Sequence, residues 1–506
     1  MLGLTSLSAP RMHAPRASGA PSVSLALTAL ALALATAYAV AIVRSGGDGL
    51  LVVPLIGAIV VLGAFVHPAL GLYVLFGSAI LFEQFTIEGG IVPITTQTRF
   101  FQNINAYTPI PLRLSLADLL MVLTATAIVV HRLRAKGGHL RAGAFGWAVL
   151  GYVGVFIIGT VIGVARGGAW NADVALAELR APVHLGLTYF LATNLVRDLR
   201  QLSVFMWLFV LGSSAKAVQT ILNYQEASNL PYTLRTFITH EDVIFIGVAI
   251  ALALVAVLLG LRTRLARLLI ALQPLFLVAE LVANRRVGLI AVAVTLIAVT
   301  LLLLFTHPRR VAVLVLCASV GLAGYTVVFW DSDGPLGEPL RALRSVFDVS
   351  ATSLTDQASS AWRDIEHQNV AFTMRQVPFT GVGVGQRYLF ERDPGEVSTF
   401  PYWRFITHDA LLWLWLKAGP LGAFALWFLV ARGLLVGTAL FRRIGEPSLR
   451  WVIALPIALI VTQIVFSSVD LGLTYSRTMI VLGASLGLAA FVAERYAPSE
   501  RRQPAR

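Results

Sequence analysis

Apolar runs of about 20 residues recur along the whole chain, and each is long enough to cross the hydrocarbon core of a bilayer as a helix. They fall at 23–43, 50–66, 69–85, 113–131, 144–165, 178–196, 201–222, 242–261, 265–283, 286–305, 310–330, 409–440, 450–469 and 474–494. The runs are too continuous for the alternating pattern of a membrane β-barrel. The pattern therefore predicts an all-α polytopic membrane protein with about 14 transmembrane helices. One gap between runs, 331–406, is far longer than the rest. The organisation expected is a tail at 1–22, a bundle of about 11 spans over 23–330, a large loop over 331–406, C-terminal transmembrane helices over 407–494 and a tail at 495–506. The segment 1–22 is small, polar and Pro-containing, like the start of a signal peptide, but the run behind it exceeds the apolar core of one.

Composition agrees with this pattern. Hydrophobic residues make up 57% of the chain and charged residues 13%, with a mean hydropathy of +0.78. A soluble domain carries about 25% charged residues. The single cysteine, Cys317, lies in an apolar run and makes no intrachain disulfide.

The net charge of +13 changes the picture only through its distribution. A nucleic-acid partner is not needed, because the basic residues lie mostly in short connections. Placing the N-terminus in the cytoplasm puts HRLRAKGGHLR (131–141), RDLR (197–200), LRTRLAR (261–267), HPRR (307–310), FRRIGEPSLR (441–450) and the tail ERYAPSERRQPAR on one side. Positive charge retains loops on the cytoplasmic side, so both termini are expected there. The same topology leaves Arg180, Arg235, Arg285, Arg286, Arg363, Arg375, Arg387 and Arg404 on the outer face. Taken singly these are ordinary loop arginines or side chains reaching for headgroups. Gathered beside a large outer loop, they suit an anionic group.

That loop contains a helix expected around Asp356–Arg375, the stretch PFTGVGVGQRYLF and many aromatics, which argue for order at the membrane surface. GVGVG (381–385) is not followed by Lys-Ser/Thr, so it reads as a turn for close backbone approach rather than a nucleotide loop. His408 stands directly before an apolar run and is a candidate base; a histidine bonded to a helix start is the plainer reading. Arg285 and Arg286, in LVANRRVGLIAVAV, run against the charge rule, and their forks suit phosphate oxygens. HED (240–242) offers His240 and two carboxylates, read as a polar helix start in preference to a metal site. Lys417 lies two turns past His408 and either reaches outward or lines a polar cavity.

The long outer loop ending in GVGVG leads into H-x3-L-x6-G-x2-G, formed by His408, Leu412, Gly419 and Gly422. With the N-R-R-x-G step at 284–288, this resembles the O-antigen ligase/O-antigen polymerase family of bacterial envelope glycosyltransferases. The resemblance implies a GT-C-like membrane fold in the bacterial inner membrane, with the active site on the extracytoplasmic side. It implies a glycan donor on undecaprenyl diphosphate, a glycan or glycolipid acceptor, and no metal or other cofactor. It carries His408 over as base or orienter of the acceptor hydroxyl, and Arg285 or Arg286 as the group neutralising the diphosphate. Arg180 and Arg363 are further matches for diphosphate binding; Arg235, Arg404, Lys417 and His240 are possible substrate contacts. The chain departs from the family where Asp409 replaces the common Asn and Lys417 the common Glu. Asp409 is expected to hold the imidazole's tautomer, as triad carboxylates do. Two other functions remain open at this point. A transporter or flippase of an anionic lipid or solute would carry charges at mid-membrane, where Glu280 and Lys216 are the candidates. A non-catalytic scaffold would leave the outer arginines dispersed.

Overall fold

A computed structural model of the chain describes residues 52–83, 98–134, 139–229, 238–283, 285–332, 334–347, 354–393 and 402–496, with isolated positions elsewhere. The first expected span, 23–43, lies almost wholly outside these residues, and so does Arg235. The chain divides into two units, Met1–Val60 and Val61–Arg506. The structure is 79% helix, without strands among the described residues.

Among the described residues sixteen α-helices follow in order: α1 Val52–Val66, α2 Pro68–Leu81, α3 Leu116–Arg134, α4 Gly146–Arg166, α5 Ala172–Leu195, α6 Leu199–Ser228, α7 His240–Leu259 and α8 Arg264–Ala271, then α9 Gln273–Val282, α10 Arg286–Leu304, α11 Pro308–Phe329, α12 Glu338–Phe347, α13 Leu354–Gln376, α14 Ala410–Arg443, α15 Pro447–Ser467 and α16 Ser476–Tyr496. Their starts are written in the chain. Asn171 caps α5 by accepting from Asp173 N and Val174 N, and Asp198 caps α6 through Gln201 N. Proline sits in the first turn of α2, α9, α11 and α15, where the missing N–H costs nothing.

Among the described residues, nine helices are long and apolar enough to cross a membrane, or ten if α8 and α9, bent by 44° at their junction, count as one span. This makes the chain a multi-pass membrane protein, with fewer qualifying helices than the 14 expected. Helix α5 falls on the expected 178–196 run but is not among the nine, because it carries Asp173, Glu178, Arg180 and His184. Helices α1 and α2 are apolar but shorter than a span.

The centre of the bundle is set by burial: 94% of the apolar window of α16 and 89% of that of α7 are enclosed by protein, against 6% for α11. The most extensive pairing is α5 with α16. Gly483 and Gly487 permit it, since a Cβ at either would come 2.3 Å from Leu185 O or 2.9 Å from Tyr189 O.

A buried ionic brace ties α2, α7 and α16 together. Arg477 is fully buried; it donates to Ala79 O and Ile80 O (2.8 Å each), which are carbonyls at the unsatisfied end of α2. It also donates to Thr239 Oγ1 (3.0 Å) and pairs with Asp242. Lys216 of α6 pairs with Glu83 and lies 3.7 Å from Asp242. Charges this deep are tolerated only when paired and hydrogen-bonded.

Candidate active site

His408 stands just before α14, where Asp409 caps the helix by accepting from Leu411 N and Leu412 N (3.0 and 3.1 Å). Helix α13 lies against it. Glu366, fully buried, accepts from the His408 backbone N–H (3.0 Å) with one oxygen and lies 3.2 Å from His408 Nδ1 with the other. Trp362, one turn earlier, meets the imidazole edge-on at 5.0 Å. The sequence suggests Asp409 as the carboxylate that orients His408, but the structure gives that place to Glu366. The reason is local: Asp409 turns back onto its own helix, and its other oxygen lies 3.6 Å from His367 Nε2. Burial pushes the Asp409 carboxyl up from its ordinary value, against the pull of the Leu412 and Leu411 N–H groups.

The two central arginines part company. Arg286 reaches Glu338 of α12 at 3.4 Å, and the same Glu338 holds Arg341 at 2.5 Å. Arg285 is half-buried, and its Nε is enclosed without a hydrogen-bond partner among the described residues. Its electrostatic neighbours are Asp470, Tyr475 and Arg363. Arg363 is also half-buried and stands one turn before Glu366 on α13. Helix α13 therefore joins the surroundings of His408 to those of Arg285.

His240 opens α7 beside the α15–α16 turn. Its Nδ1 lies 2.8 Å from Asp470 Oδ2, and its ring stacks on Tyr475, whose hydroxyl donates to Asp470 Oδ1 at 3.0 Å. Burial alone would raise the Asp470 carboxyl. His240, the Leu471 N–H and Arg285 outweigh it and hold the group well below the usual carboxylate range. Burial and the neighbouring Asp470 push the Tyr475 phenol up. Neither Asp470 nor Tyr475 stands out in the sequence, because both lie in a short polar turn between two apolar runs.

Lys417 is built into the scaffold beneath His408. Its Nζ lies 2.9 Å from Glu178 Oε1 and donates to Gln386 O at 2.7 Å. Glu178 also accepts from Trp413 Nε1 (3.0 Å) and Gly385 N (2.6 Å). This explains GVGVG. Helix α14 breaks at Gly419, which takes φ 65°, and Pro420 has no N–H to offer Leu416 O. Val382 N and Gly383 N donate to the freed carbonyls of Leu416 and Lys417 at 2.7 and 3.1 Å. The glycine loop is thus a brace that satisfies a kinked helix.

The remaining candidates lie in other surroundings. Arg180 pairs with Asp118 (3.1 Å) and donates to Asn103 Oδ1 (2.6 Å), beside His184, which is also on Asp118. That cluster joins α3 to α5. Arg404 is exposed, with its guanidinium 4.7 Å over the Trp403 ring. Among the described residues no three His, Cys, Asp or Glu side chains gather as metal ligands. Next to His408, on the same face of α14, Leu412 and Trp415 line an apolar hollow of about 340 Å³ with Ala371, Met374, Pro378 and the stem of Arg375.

Residues 274–427 match the family model described as O-antigen ligase. The matched stretch runs from α9 through Arg285, α13 and the glycine loop to His408 and α14, and it supports the O-antigen ligase/polymerase family. No curated protein matches the chain.

Proposed function

We propose that this protein transfers a glycan from an undecaprenyl diphosphate-linked donor to an acceptor hydroxyl, without a metal, at the outer leaflet of the bacterial inner membrane. The observation that carries the reading is a histidine held by Glu366 of α13, with Arg363 one turn earlier on the same helix and Arg285 among the electrostatic neighbours of Arg363. In the transfer, the acceptor oxygen attacks the anomeric carbon. The bond from that carbon to the diphosphate oxygen breaks, and its electron pair leaves with the diphosphate. The acceptor proton passes to His408, with Nε2 as the receiving nitrogen because Nδ1 faces Glu366. Arg285 and Arg363 stabilise the charge that grows on the leaving group; one such fixed donor is worth about 10²–10³ in rate. The apolar hollow below His408 suits a lipid chain of donor or acceptor. The basic connections favour cytoplasmic termini and an outward-facing site.

A flippase is less well supported. Lys216 is closed off by Glu83 and Asp242. Glu280 is buried without a hydrogen bond among the described residues, and one such carboxyl does not make a path. The test is release of undecaprenyl diphosphate from a lipid-linked oligosaccharide by purified protein. Retention of wild-type release in a folded His408→Ala variant would remove the histidine from the chemistry.

A further inference from the structure

The transfer as drawn makes no use of His240, yet the fold invests heavily in holding it. A carboxylate, a phenol and an imidazole are set together where α7, α15 and α16 meet. Asp470 accepts from both Tyr475 and the backbone of Leu471, and its remaining oxygen faces His240 Nδ1. Nδ1 is buried, while the side chain as a whole is 30% exposed. The exposed part of the ring therefore lies away from Nδ1. Phe466 closes a second side of the ring edge-on at 5.8 Å. An imidazole set with Nδ1 2.8 Å from Asp470 Oδ2 and partly exposed elsewhere is a positioned donor or acceptor for something outside the protein.

The surroundings say what that something is. Asp470 is the shared neighbour of His240 and Arg285. Its negative charge offsets one of the two, so an anion needs both. Glu241, next to His240 in the chain, is turned away toward Arg477 at 3.7 Å. Tyr475 is neutral and its proton is used on Asp470. We propose that His240 is a further ligand of the diphosphate, acting with Arg285 and Arg363, and that Asp470 and Tyr475 are its positioning residues. This rests on the transferase reading. Imidazole is the side chain whose ordinary charge change falls between pH 5 and 8. Anion binding at His240 draws on the protonated ring, whereas His408 must be unprotonated to accept a proton.

The experiment measures binding of inorganic pyrophosphate to the full-length protein in detergent at pH 6 and pH 8.5, for wild type, His240→Gln, Asp470→Asn, Arg285→Ala and His408→Ala. His240→Gln should bind about tenfold more weakly than wild type at pH 6, as for a lost hydrogen bond to a charged group, and the gap between the two proteins should narrow at pH 8.5. Asp470→Asn should fall between wild type and His240→Gln, and His408→Ala should bind as wild type does. Loss of binding in Arg285→Ala together with wild-type behaviour of His240→Gln at both pH values overturns the proposal and leaves the transferase reading standing. Wild-type binding in Arg285→Ala overturns the anion site itself. Should His240→Gln fail to fold, carbethoxylation of His240 in the wild-type protein, mapped by mass spectrometry, replaces it: pyrophosphate should protect the ring, and no protection refutes the contact.

Discussion

Replacing Lys417 with methionine separates a structural lysine from a substrate contact. Both members of the Lys417–Glu178 pair are enclosed, with side chains 1% and 0% exposed. Lys417→Met keeps the volume of the chain and removes the charge. Glu178 would then retain Trp413 Nε1 and Gly385 N as donors but no cation, and Gln386 O would lose its partner. Leaving one charge of a buried pair uncompensated costs about 3–5 kcal/mol. In chains of 150–250 residues each kcal/mol moves the melting temperature by roughly 2–4 °C, and by less in a longer one, so a fall of roughly 5 °C is expected here. Glu178→Gln combined with Lys417→Met removes both charges and should recover much of that loss, with a coupling energy of about 2 kcal/mol. The assay is thermal unfolding of the purified variants in detergent, beside transfer activity per folded molecule. A single variant that melts within 1 °C of wild type (taking ~0.5 kcal/mol as the limit of a neutral change) but has lost activity would refute the structural account and return Lys417 to the substrate.

Other consequences follow from the same geometry. Gly419→Ala would place a Cβ 2.2 Å from Phe379 O at a φ of 65°, so both the kink and the glycine brace must shift; reduced yield and a lower melting temperature are expected by fluorescence-detected gel filtration. Arg285→Ala should lower the transfer rate by about 10²-fold, as for a lost oxyanion donor, whereas Arg286→Ala, which frees Glu338 to Arg341, should act mainly on stability; equal loss of rate in both would contradict the assignment. Asp470 has its carboxyl depressed in the fold, so the stability it contributes is complete above the ordinary carboxylate value of about 3.9 and is lost as pH falls through the lower folded value. Asp470→Asn should accordingly lower the melting temperature at pH 7 and narrow the gap from wild type only in strong acid, which melting curves across pH would show.

The helical architecture was legible because apolar length alone marks a span, and the segments from 50–66 to 474–494 reappear as helices. Nine or ten helices qualify by length and composition where 14 spans are expected: the 23–43 run lies outside the described residues, α1 and α2 are short, and α5 mixes an apolar length with charges that its contacts with α14 and the glycine loop help to satisfy. His408, Arg285 and Arg363 could be singled out from residue type and position. Their supports could not. Glu366 is one acidic residue in a polar helix, and nothing in its neighbours distinguishes it from Asp364 until α13 is laid against α14. The spacing of GVGVG shows that backbone must approach closely, but not that its target is a pair of carbonyls freed by Gly419 and Pro420. Arg180 reads as an outer-face arginine because its partner, Asp118, lies far away in sequence.

The most direct test of the account is a transfer assay with purified protein, an undecaprenyl diphosphate-linked oligosaccharide and EDTA, comparing wild type with His408→Ala, Glu366→Gln and Arg285→Ala at equal folded concentration. Wild type should release undecaprenyl diphosphate, with near-complete loss in His408→Ala and Arg285→Ala and partial loss in Glu366→Gln, in which the imidazole keeps a partner but not a carboxylate. Growth of the glycan without added acceptor would identify a polymerase, and release only with a separate acceptor would identify a ligase. No release by wild type from any lipid-linked donor, or release that His408→Ala leaves unchanged, would contradict it.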